Sequence, residues 1–235
     1  MSKHFITFAA GKSDYYEAGN RLCHQAKQLD LFDSIQLFTD IDLKEDRSFW
    51  KLHSTFVSSH GRGFGYWLWK SYIIGKKIES LNDGDILVYL DCGCELLVEK
   101  RDRMIELFEH AKTTFIIGSF TCVEKYYNKM DLLVKLGMVD HEGLETHQHQ
   151  AGALMFFVNC KTRALVKEWY VLSSIYENID DSPSKEPNIP TFIEHRHDQS
   201  IFSLLTKRSK IYSQRNICEA VQYIRNKSGT SQYTS

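Results

Sequence analysis

The stretch Asp-Ile-Leu-Val-Tyr-Leu-Asp at residues 85–91 is the clearest central strand in the sequence. Five apolar or aromatic residues stand between two aspartates, which is typical of a strand buried on both faces in the middle of a sheet. The acidic end matters because a carboxylate that directly follows such a strand is costly to bury without a partner. Asp91 must therefore be exposed, cap a turn or bind a cation.

Apolar runs on either side of this strand predict further strands, with helical patterns between them. The other predicted strands are Phe5–Ala10, Ser34–Thr39, Thr114–Ser119 and Ala153–Asn159, and the predicted helices are Tyr15–Leu29, Tyr66–Glu79, 101–111, Thr162–Tyr176 and Ser200–Arg208. Strands that alternate with helices predict an α/β fold with a mostly parallel central sheet flanked by helices. The three prolines fall within 181–190, which we interpret as a surface loop, so residues 1–235 are predicted to form a single domain.

The composition excludes several classes of protein. Of the 235 residues, 43% are hydrophobic and 25% charged, as in ordinary globular proteins and unlike disordered or fibrous chains. Lys and Arg number 29 against 30 Asp and Glu, so no net charge attracts nucleic acid. No apolar run approaches the roughly 20 residues of a membrane helix, and the six cysteines lack zinc-ribbon spacing. We therefore predict a cytoplasmic protein with reduced thiols, no nucleic-acid partner and no integral membrane segment, and leave its oligomeric state open.

Polar segments border the predicted strands, where ligands of open α/β sheets collect. They are Ala9–Lys12, Asp91–Glu95, His147–Gly152 and Glu194–Ser200. A carboxylate such as Asp91 at a strand end is a suitable ligand for Mg²⁺ or Mn²⁺ bound to a nucleotide diphosphate, but it could equally cap a turn. In the last segment, Asp198 or Ser200 could simply be the N-cap of the helix that follows.

Two His-x-His pairs, His147/His149 and His195/His197, indicate a possible metal-dependent hydrolase. Alternate residues of an extended segment point the same way and could share a zinc ion. Nothing in the sequence brings the two pairs together, so surface or hydrogen-bonded core histidines are the favoured interpretation.

Aromatic residues, 13% of the chain, are concentrated between Arg62 and Lys70 in the stretch RGFGYWLWK. Two tryptophans and two further aromatic residues, bracketed by two cations, suit a surface that stacks on a sugar or base and pairs with phosphate. Packing in the core explains the same pattern equally well.

Taken together, these segments resemble a nucleotide-sugar glycosyltransferase of the GT-A type. The resemblance is to the glycogenin and lipopolysaccharide galactosyltransferase superfamily and to small capsule or surface-glycan transferases of bacteria and large viruses. In those enzymes a strand ends in Tyr-Leu-Asp-x-Asp, an Asn-Ala-Gly precedes a strand closing on Asn, and an Asp-Gln pair opens a helix. The corresponding segments here, in the same order and at similar spacing over most of the chain, are VYLDCGC (88–94), QAGALMFFVN (150–159) and HDQSIF (197–202).

The resemblance implies a Rossmann-like GT-A fold and transfer of a hexose or pentose from a nucleotide diphosphate, with UDP favoured, to a hydroxyl of a glycan acceptor. It implies that Asp198 and Gln199 are the catalytic pair beside the anomeric carbon, and that Asp91 touches the donor ribose or the metal. The donor-binding residues that it implies are Phe8, Ala9, Ala10, Tyr15, Lys70, Gln150, Ala151 and Gly152.

Two positions depart from the family pattern. Gly93 stands where the second aspartate is expected, within the donor site, and no histidine follows His197 to serve as the late metal ligand. A Mn²⁺ or Mg²⁺ ion would then be held by Asp91 with His197 or Glu95. Alternatively, the cations Lys70, Arg62 and Arg196 neutralise the diphosphate, which gains negative charge in the transition state and needs fixed positive charge.

The mechanism and two other functions stay open at this point. The resemblance favours retention of the anomeric configuration, in which Asp198 or Gln199 steadies an oxocarbenium-like sugar from the face opposite the leaving group. With inversion, Asp198 would be the general base for the acceptor hydroxyl. The broken Asp-x-Asp is also compatible with a sugar-nucleotide-binding protein that has lost catalysis, and the histidine pairs with a hydrolase.

Overall fold

The computed structural model describes residues 1–233, and its centre is a six-stranded sheet. In spatial order its strands are β2 (Ser34–Thr39), β1 (Lys3–Ala9), β3 (Ile86–Leu90), β8 (Ala153–Phe157), β5 (Ile116–Gly118) and β9 (Tyr212–Asn216). Two small two-stranded sheets pair β4 (Glu95–Leu96) with β10 (Val221–Gln222), and β6 (Phe120–Val123) with β7 (His147–His149).

Five of the six central strands run in the same direction. β1 is parallel to β2 and β3, β5 is parallel to β9, and β8 is antiparallel to both β3 and β5. The prediction of an α/β fold with a mostly parallel sheet is therefore confirmed. Because β8 runs backwards, its first residue, Ala153, pairs with Leu90 at the end of β3. The segment before β8 consequently lies at the same sheet edge as the segment after β3.

Helices flank this sheet. They are α1 (Ser13–Gln28), α2 (Asp40–Glu45), α3 (Arg47–Ser59), α4 (Gly63–Tyr66), α5 (Leu68–Glu79), α6 (Arg101–Thr114), α7 (Met130–Leu136), α8 (Cys160–Ser173) and α9 (His197–Ser209). Short 3₁₀ turns occupy Val98–Lys100, Glu124–Tyr127, Glu142–Glu145, Tyr176–Asn178 and Ile217–Glu219. Within residues 1–233, no helix combines the length and the apolar character that crossing a membrane requires.

The residues of β3 alternate between two hydrophobic cores, one on each face of the sheet. Leu87 and Tyr89 join the core that includes residues of α5, α8 and α9. Ile86, Val88 and Leu90 join the core that includes residues of α1 and α6. All five side chains are fully buried, which explains why the strand is apolar at every position.

The prediction of a helix over Tyr66–Glu79 is wrong at its start. All residues from Gly63 to Trp67 have positive φ, from 52° at Tyr66 to 83° at Gly65, so α4 is a left-handed turn. Left-handed backbone costs about 1–2 kcal/mol for each residue with a side chain. The right-handed helix α5 begins only after this turn, at Leu68.

The sequence patterns missed some elements and misplaced the ends of others. No element was predicted for residues 40–59, which form α2 and α3. The strand predicted over Thr114–Ser119 is shorter, because α6 continues to Thr114 and Phe115 turns with φ of 69° before β5 begins. Residues 181–190 contain no helix or strand, as predicted, and the six cysteines are free.

Candidate active site

A buried lysine lies between two aspartates at the sheet edge where β3 ends. Lys70 Nζ is 3.3 Å from Oδ1 of Asp91 and 3.4 Å from Oδ2 of Asp198. The three residues come from α5, from the end of β3 and from the first turn of α9. Lys70 and Asp198 are buried, whereas the Asp91 side chain is 37% exposed. This lysine–aspartate cluster therefore reaches solvent at Asp91.

The cluster holds a charged lysine, Lys70, beside an aspartate, Asp198, whose pKa is raised. Burial raises the pKa of Asp198 to about 6, with Asp91 adding to the effect and Lys70 opposing it. Burial alone would lower the pKa of Lys70, but the attraction of Asp198 and Asp91 outweighs it and holds that pKa above the ordinary value. Lys70 is consequently charged at neutral pH, while Asp198 exchanges its proton near pH 6.

Two buried polar atoms at the start of α9 lack hydrogen bonds. Oδ2 of Asp198 and Nε2 of His197 have no hydrogen-bond partner among residues 1–233. Oδ1 of Asp91, in contrast, accepts a hydrogen bond from the Tyr89 hydroxyl at 2.6 Å. Because buried polar atoms are nearly always hydrogen-bonded, unpartnered ones mark places that a ligand can complete.

Gly152 forms the floor of the cluster. Its carbonyl accepts a hydrogen bond from the Asp91 amide at 2.7 Å. A Cβ atom at this position would lie 2.7 Å from Oδ2 of Asp91 and would overlap the hydroxyl of Tyr223. A side chain here would displace Asp91 or Tyr223, so glycine suits the position where the chain enters β8.

Gln199 connects α9 to the same floor. Its Oε1 accepts from the Ala151 amide at 3.4 Å, and its Nε2 donates to Oε1 of Gln148 at 2.6 Å. The neighbouring Gln150 accepts from the Ser119 hydroxyl through its side-chain oxygen at 2.8 Å. The predicted residues 150–152 and 198–199 are thus brought together.

The interpretation of Asp198 or Ser200 as the N-cap of α9 is wrong. The N-cap residue is Arg196, and no side chain caps this helix end. The Asp198 carboxylate turns instead toward Lys70. The Ser200 hydroxyl accepts from the Arg196 amide at 3.0 Å and donates to the Tyr127 carbonyl at 2.7 Å.

The predicted nucleoside pocket lies at the end of β1, the strand next to β3. Phe8 is buried and stacks on Trp69 with ring centroids 3.7 Å apart, so much of the aromatic segment packs the core. Ala9 is buried and Ala10 is half-buried. The ring of Tyr15 lies 5.0 Å from Nζ of Lys227, a residue near the C-terminus.

The C-terminal segment 224–233 reaches this site, although no sequence motif indicated it. The Asn226 amide donates to the Gly93 carbonyl at 3.0 Å. A Cβ on Gly93 would lie 3.2 Å from Cα of Arg225 and 3.3 Å from the Ile224 carbonyl oxygen, which is tight for any side chain. Gly93 thus occupies the position of the second aspartate in the motif that the sequence resembles, and residues 224–226 pass closely over it. No local pattern in the sequence signals this long-range contact.

The two predicted arginines pair with residues outside the cluster. Arg62 lies 3.2 Å from Asp181, and both side chains are about half exposed. Arg196 lies 3.3 Å from Glu194, and its guanidinium stands 3.8 Å above the Tyr127 ring. Neither arginine forms an ion pair with Asp91 or Asp198 in the part of the chain that the structure describes.

The histidine pairs are held by separate structural contacts. His149 hydrogen-bonds to Thr206 at 2.8 Å, and His195 bonds to the Asn178 carbonyl at 2.7 Å. Burial lowers the pKa of both histidines to about 3. His197 bonds to the Ile179 carbonyl at 2.6 Å. Over residues 1–233, no three His, Cys, Asp or Glu side chains are grouped to hold a metal ion, so the four-histidine zinc interpretation lacks support.

The chain is similar to solved structures of glycosyltransferases at low sequence identity. No family model matches the sequence, and no curated protein matches it. Among solved structures, the chain is similar to apo mouse xyloside xylosyltransferase 1, with 9% identity over 92% of this chain and 86% of that one and a TM-score of 0.45. It is similar to the galactosyltransferase LgtC in complex with donor and acceptor sugar analogues, with 16% identity, coverage of 86% and 70%, and a TM-score of 0.44. The apo bifunctional glycosyltransferase WbbM matches with 11% identity, coverage of 87% and 37%, and a TM-score of 0.49.

Proposed function

We propose that this protein transfers a sugar from a nucleotide diphosphate donor, a UDP-sugar, to a hydroxyl group of a glycan acceptor. The lysine–aspartate cluster carries the proposal. It combines a partly exposed carboxylate at a strand end, a buried cation, and a buried carboxylate whose Oδ2 atom lies 3.4 Å from the Lys70 ammonium but has no hydrogen-bond partner among residues 1–233. Ligands of open α/β sheets bind at the carboxyl ends of the strands, which is where this cluster lies.

The proposed reaction breaks the bond between the anomeric carbon and the diphosphate oxygen, and the electron pair leaves with the nucleotide diphosphate. A new bond forms between the anomeric carbon and the acceptor oxygen, and the hydroxyl proton passes to an oxygen of the departing diphosphate. Positive charge develops on the sugar and negative charge on the leaving group. Fixed charges already in place can stabilise both without reorganising.

Asp198 is assigned to the sugar. Its buried carboxylate, ionised above pH about 6, steadies the oxocarbenium-like sugar from the face opposite the leaving group, which retains the anomeric configuration. Gln199, fixed by Ala151 and Gln148, positions the floor beneath the sugar. The assignment of Asp198 follows from the sequence resemblance. That of Gln199 differs from the place beside the anomeric carbon that the resemblance implies, and is supported by its hydrogen bonds to Ala151 and Gln148.

Asp91 and Lys70 are assigned to the donor nucleotide. Asp91 presents a partly exposed carboxylate that accepts hydrogen bonds from the ribose hydroxyls. Lys70 pairs with both aspartates and supplies positive charge beside the leaving group. The choice of UDP rests on the resemblance of the sequence segments.

Calorimetric titration with UDP and GDP, followed by a hydrolysis assay with UDP- and GDP-sugars, tests the proposal. We expect UDP to bind and at least one UDP-sugar to be hydrolysed slowly without acceptor. Binding without hydrolysis of any donor would instead identify a sugar-nucleotide-binding protein. Absence of binding by either nucleotide would overturn the proposal.

The two aspartates that bracket β3 provide a matched pair of variants. Asp91→Asn removes a charge from the cluster and should weaken UDP binding by about tenfold, the effect of losing one hydrogen bond to a charged group. Asp85→Asn changes the other end of the same strand, where Asp85 accepts from the amides of Ser2 and Asn82. It should alter stability and leave UDP affinity unchanged. Equal UDP affinity in both variants would contradict the assignment of Asp91.

A further inference from the structure

The residues around Asp91 do not fit the divalent ion that the family resemblance implies. Mg²⁺ and Mn²⁺ require several hard oxygen ligands. Gly93 has no side chain to supply one, its carbonyl accepts from the Asn226 amide at 3.0 Å, and a larger residue there would press on the backbone of Arg225. Oδ1 of Asp91 already faces the Tyr89 hydroxyl and the ammonium of Lys70. His197 uses Nδ1 for the Ile179 carbonyl, and its Nε2 faces Asp181 at 3.9 Å.

Glu95, the other partner considered for such an ion, is committed elsewhere. It is fully buried and accepts from Nδ2 of Asn226 at 2.7 Å, from the Gln232 amide at 3.0 Å and from Nε2 of Gln25 at 3.2 Å. Burial by itself would raise the pKa of Glu95, but these hydrogen bonds outweigh it and hold that pKa below the ordinary value. The ionised carboxylate thus anchors residues 226–232.

We propose that fixed protein cations, and not a divalent metal, neutralise the nucleotide diphosphate at this site. The cations are Lys70 and two residues of the segment 224–233, Arg225 and Lys227. We call this segment the C-terminal strap. The inference rests on the proposed function, because it concerns how the same donor is bound.

The strap is a fixed part of the site because Arg21 ties it to the loop after β3. Arg21 is buried and donates from Nη1 to the carbonyls of Asn226 at 3.2 Å and Ser228 at 2.5 Å. From Nη2 it donates to the carbonyls of Cys92 at 3.0 Å and Cys94 at 2.9 Å. One guanidinium therefore links the residues that follow Asp91 to the strap. With Glu95 on the other side, two buried charged groups hold the strap in register.

This anchoring leaves the two cations of the strap at the surface beside the site. Asn226 is buried, whereas Arg225 and Lys227 on either side of it are exposed. The backbone of Arg225 covers Gly93, and Lys227 reaches the ring of Tyr15 in the predicted nucleoside pocket. The strap thus carries two positive charges across the position where the family places its second metal-binding aspartate.

The charges at this edge suit an anionic donor. Lys70 alone cannot neutralise the diphosphate, because its charge is already balanced by two carboxylates. Arg225 and Lys227 add two positive charges at this edge, where Asp14 is a further carboxylate acting on Lys227, so cationic groups beyond Lys70 are available to the diphosphate. Arginine and lysine bind phosphate oxygens through charge-assisted hydrogen bonds, the strong kind.

Calorimetric titration of the full chain with UDP, in EDTA and again in Mn²⁺, tests the inference without relying on catalysis. We expect the dissociation constants in the two buffers to agree within about twofold. The double variant Arg225→Gln/Lys227→Gln should weaken UDP binding by about 10- to 100-fold, the size expected for losing two charge-assisted contacts.

The matched control is Arg47→Gln/Lys51→Gln, which removes one exposed arginine and one exposed lysine from α3. It should keep the affinity of the wild type, and a thermal melt of each variant verifies folding. UDP binding that requires Mn²⁺, or that survives the strap substitutions unchanged, would overturn the inference and leave the proposed function standing. Failure of UDP and GDP to bind in either buffer would overturn the proposed function and this inference with it.

Discussion

Two buried charge networks share helix α9 and differ in how completely their polar atoms are satisfied. The first is the lysine–aspartate cluster, which includes Asp198. The second, which we call the glutamate network, is centred on Glu124 and Lys207, whose charged atoms lie 3.4 Å apart. Glu124 is fully buried and accepts hydrogen bonds from Asn128 at 2.8 Å, from Gln148 at 2.9 Å and from the Ser203 hydroxyl.

The two lysines show the difference directly. Lys207 donates to the carbonyls of Gly143 at 3.0 Å and His147 at 2.8 Å, and to the Thr146 hydroxyl. Lys70 instead lies at 3.3 and 3.4 Å from its two carboxylates, and an oxygen of Asp198 accepts no hydrogen bond from residues 1–233. The charged atoms of Glu124 and Lys207 are hydrogen-bonded without a ligand and serve the fold, although Oδ1 of Asn128 has no partner among residues 1–233. The charged atoms of the lysine–aspartate cluster are less completely hydrogen-bonded and retain capacity for a ligand.

Removing the lysine of the glutamate network should have the largest effect on stability. Lys207→Met leaves Glu124 buried without its cation, so we expect the free energy of unfolding to fall by about 3–5 kcal/mol. Urea denaturation measures the loss. UDP affinity per folded molecule should stay unchanged. The milder Glu124→Gln substitution, which keeps a polar group at that position, serves if Lys207→Met fails to fold, and it should also lower stability without changing UDP affinity. A loss below about 1 kcal/mol in both variants would contradict the structural role of this network.

The same substitution in the cluster should act mainly on catalysis. Lys70→Met should slow donor cleavage by about 10²- to 10³-fold, because fixed positive charge is lost beside the leaving group. Its stability loss should be smaller than that of Lys207→Met, since Asp198 can take up a proton and Asp91 reaches solvent. Rate and denaturation measurements on both variants provide the test. Equal stability losses in Lys70→Met and Lys207→Met, with an unchanged cleavage rate in Lys70→Met, would contradict the difference between the two networks.

The pH dependence of donor cleavage and of stability should report the ionisation of Asp198 in the lysine–aspartate cluster. Because burial raises the pKa of Asp198 to about 6, donor cleavage should fall about tenfold per pH unit below that value. The folded-state pKa exceeds the ordinary 3.8, so the stability contributed by protonated Asp198 is present below pH about 4 and is lost as the pH rises through about 6. The stability of wild type relative to Asp198→Asn should therefore increase as the pH falls from 7 to 4. A cleavage rate that stays constant between pH 7 and 5 would contradict the role of Asp198.

Substitution of Gln199, which bridges the two networks, should have the smallest effect on rate and stability, because only hydrogen bonds between uncharged groups are lost. Its side chain joins the floor at Ala151 to Gln148, which in turn donates to Glu124. Gln199→Ala removes ordinary hydrogen bonds worth about 1 kcal/mol, so we expect about a fivefold loss in rate and a similarly small loss of stability. Kinetics and melting of this single variant measure both. A loss of several hundredfold in rate would instead place Gln199 on the reacting sugar.

The sequence was most informative where local pattern and burial coincide. Strand β3 was predictable because burial on both faces makes each of its residues apolar, and Asp91 because it ends that strand. Gly152 was predictable from its motif, since close approach of Asp91 and Tyr223 excludes a side chain. The left-handed turn before α5 was not predictable, because its aromatic and apolar residues show no strand alternation and so predict a right-handed helix.

The rest of the site depends on contacts between distant parts of the chain. Asn226 and Glu95, which fix the strap, are 131 residues apart in sequence. Local periodicity carries no information on such pairs. For the same reason the cations Arg62 and Arg196 were natural candidates, although each pairs with a carboxylate outside the cluster, whereas Arg225 and Lys227 were overlooked.

Proton NMR of a UDP-sugar incubated with wild-type protein and with Asp198→Asn tests the central claim most directly. With wild-type protein, we expect the anomeric signal of the donor to disappear and the initial product to keep its configuration. The folded Asp198→Asn variant should be slower by at least about 100-fold, the usual effect of removing such a group. Cleavage by Asp198→Asn at the wild-type rate, or no cleavage of any nucleotide sugar by wild-type protein, would contradict the claim that this cluster transfers a sugar.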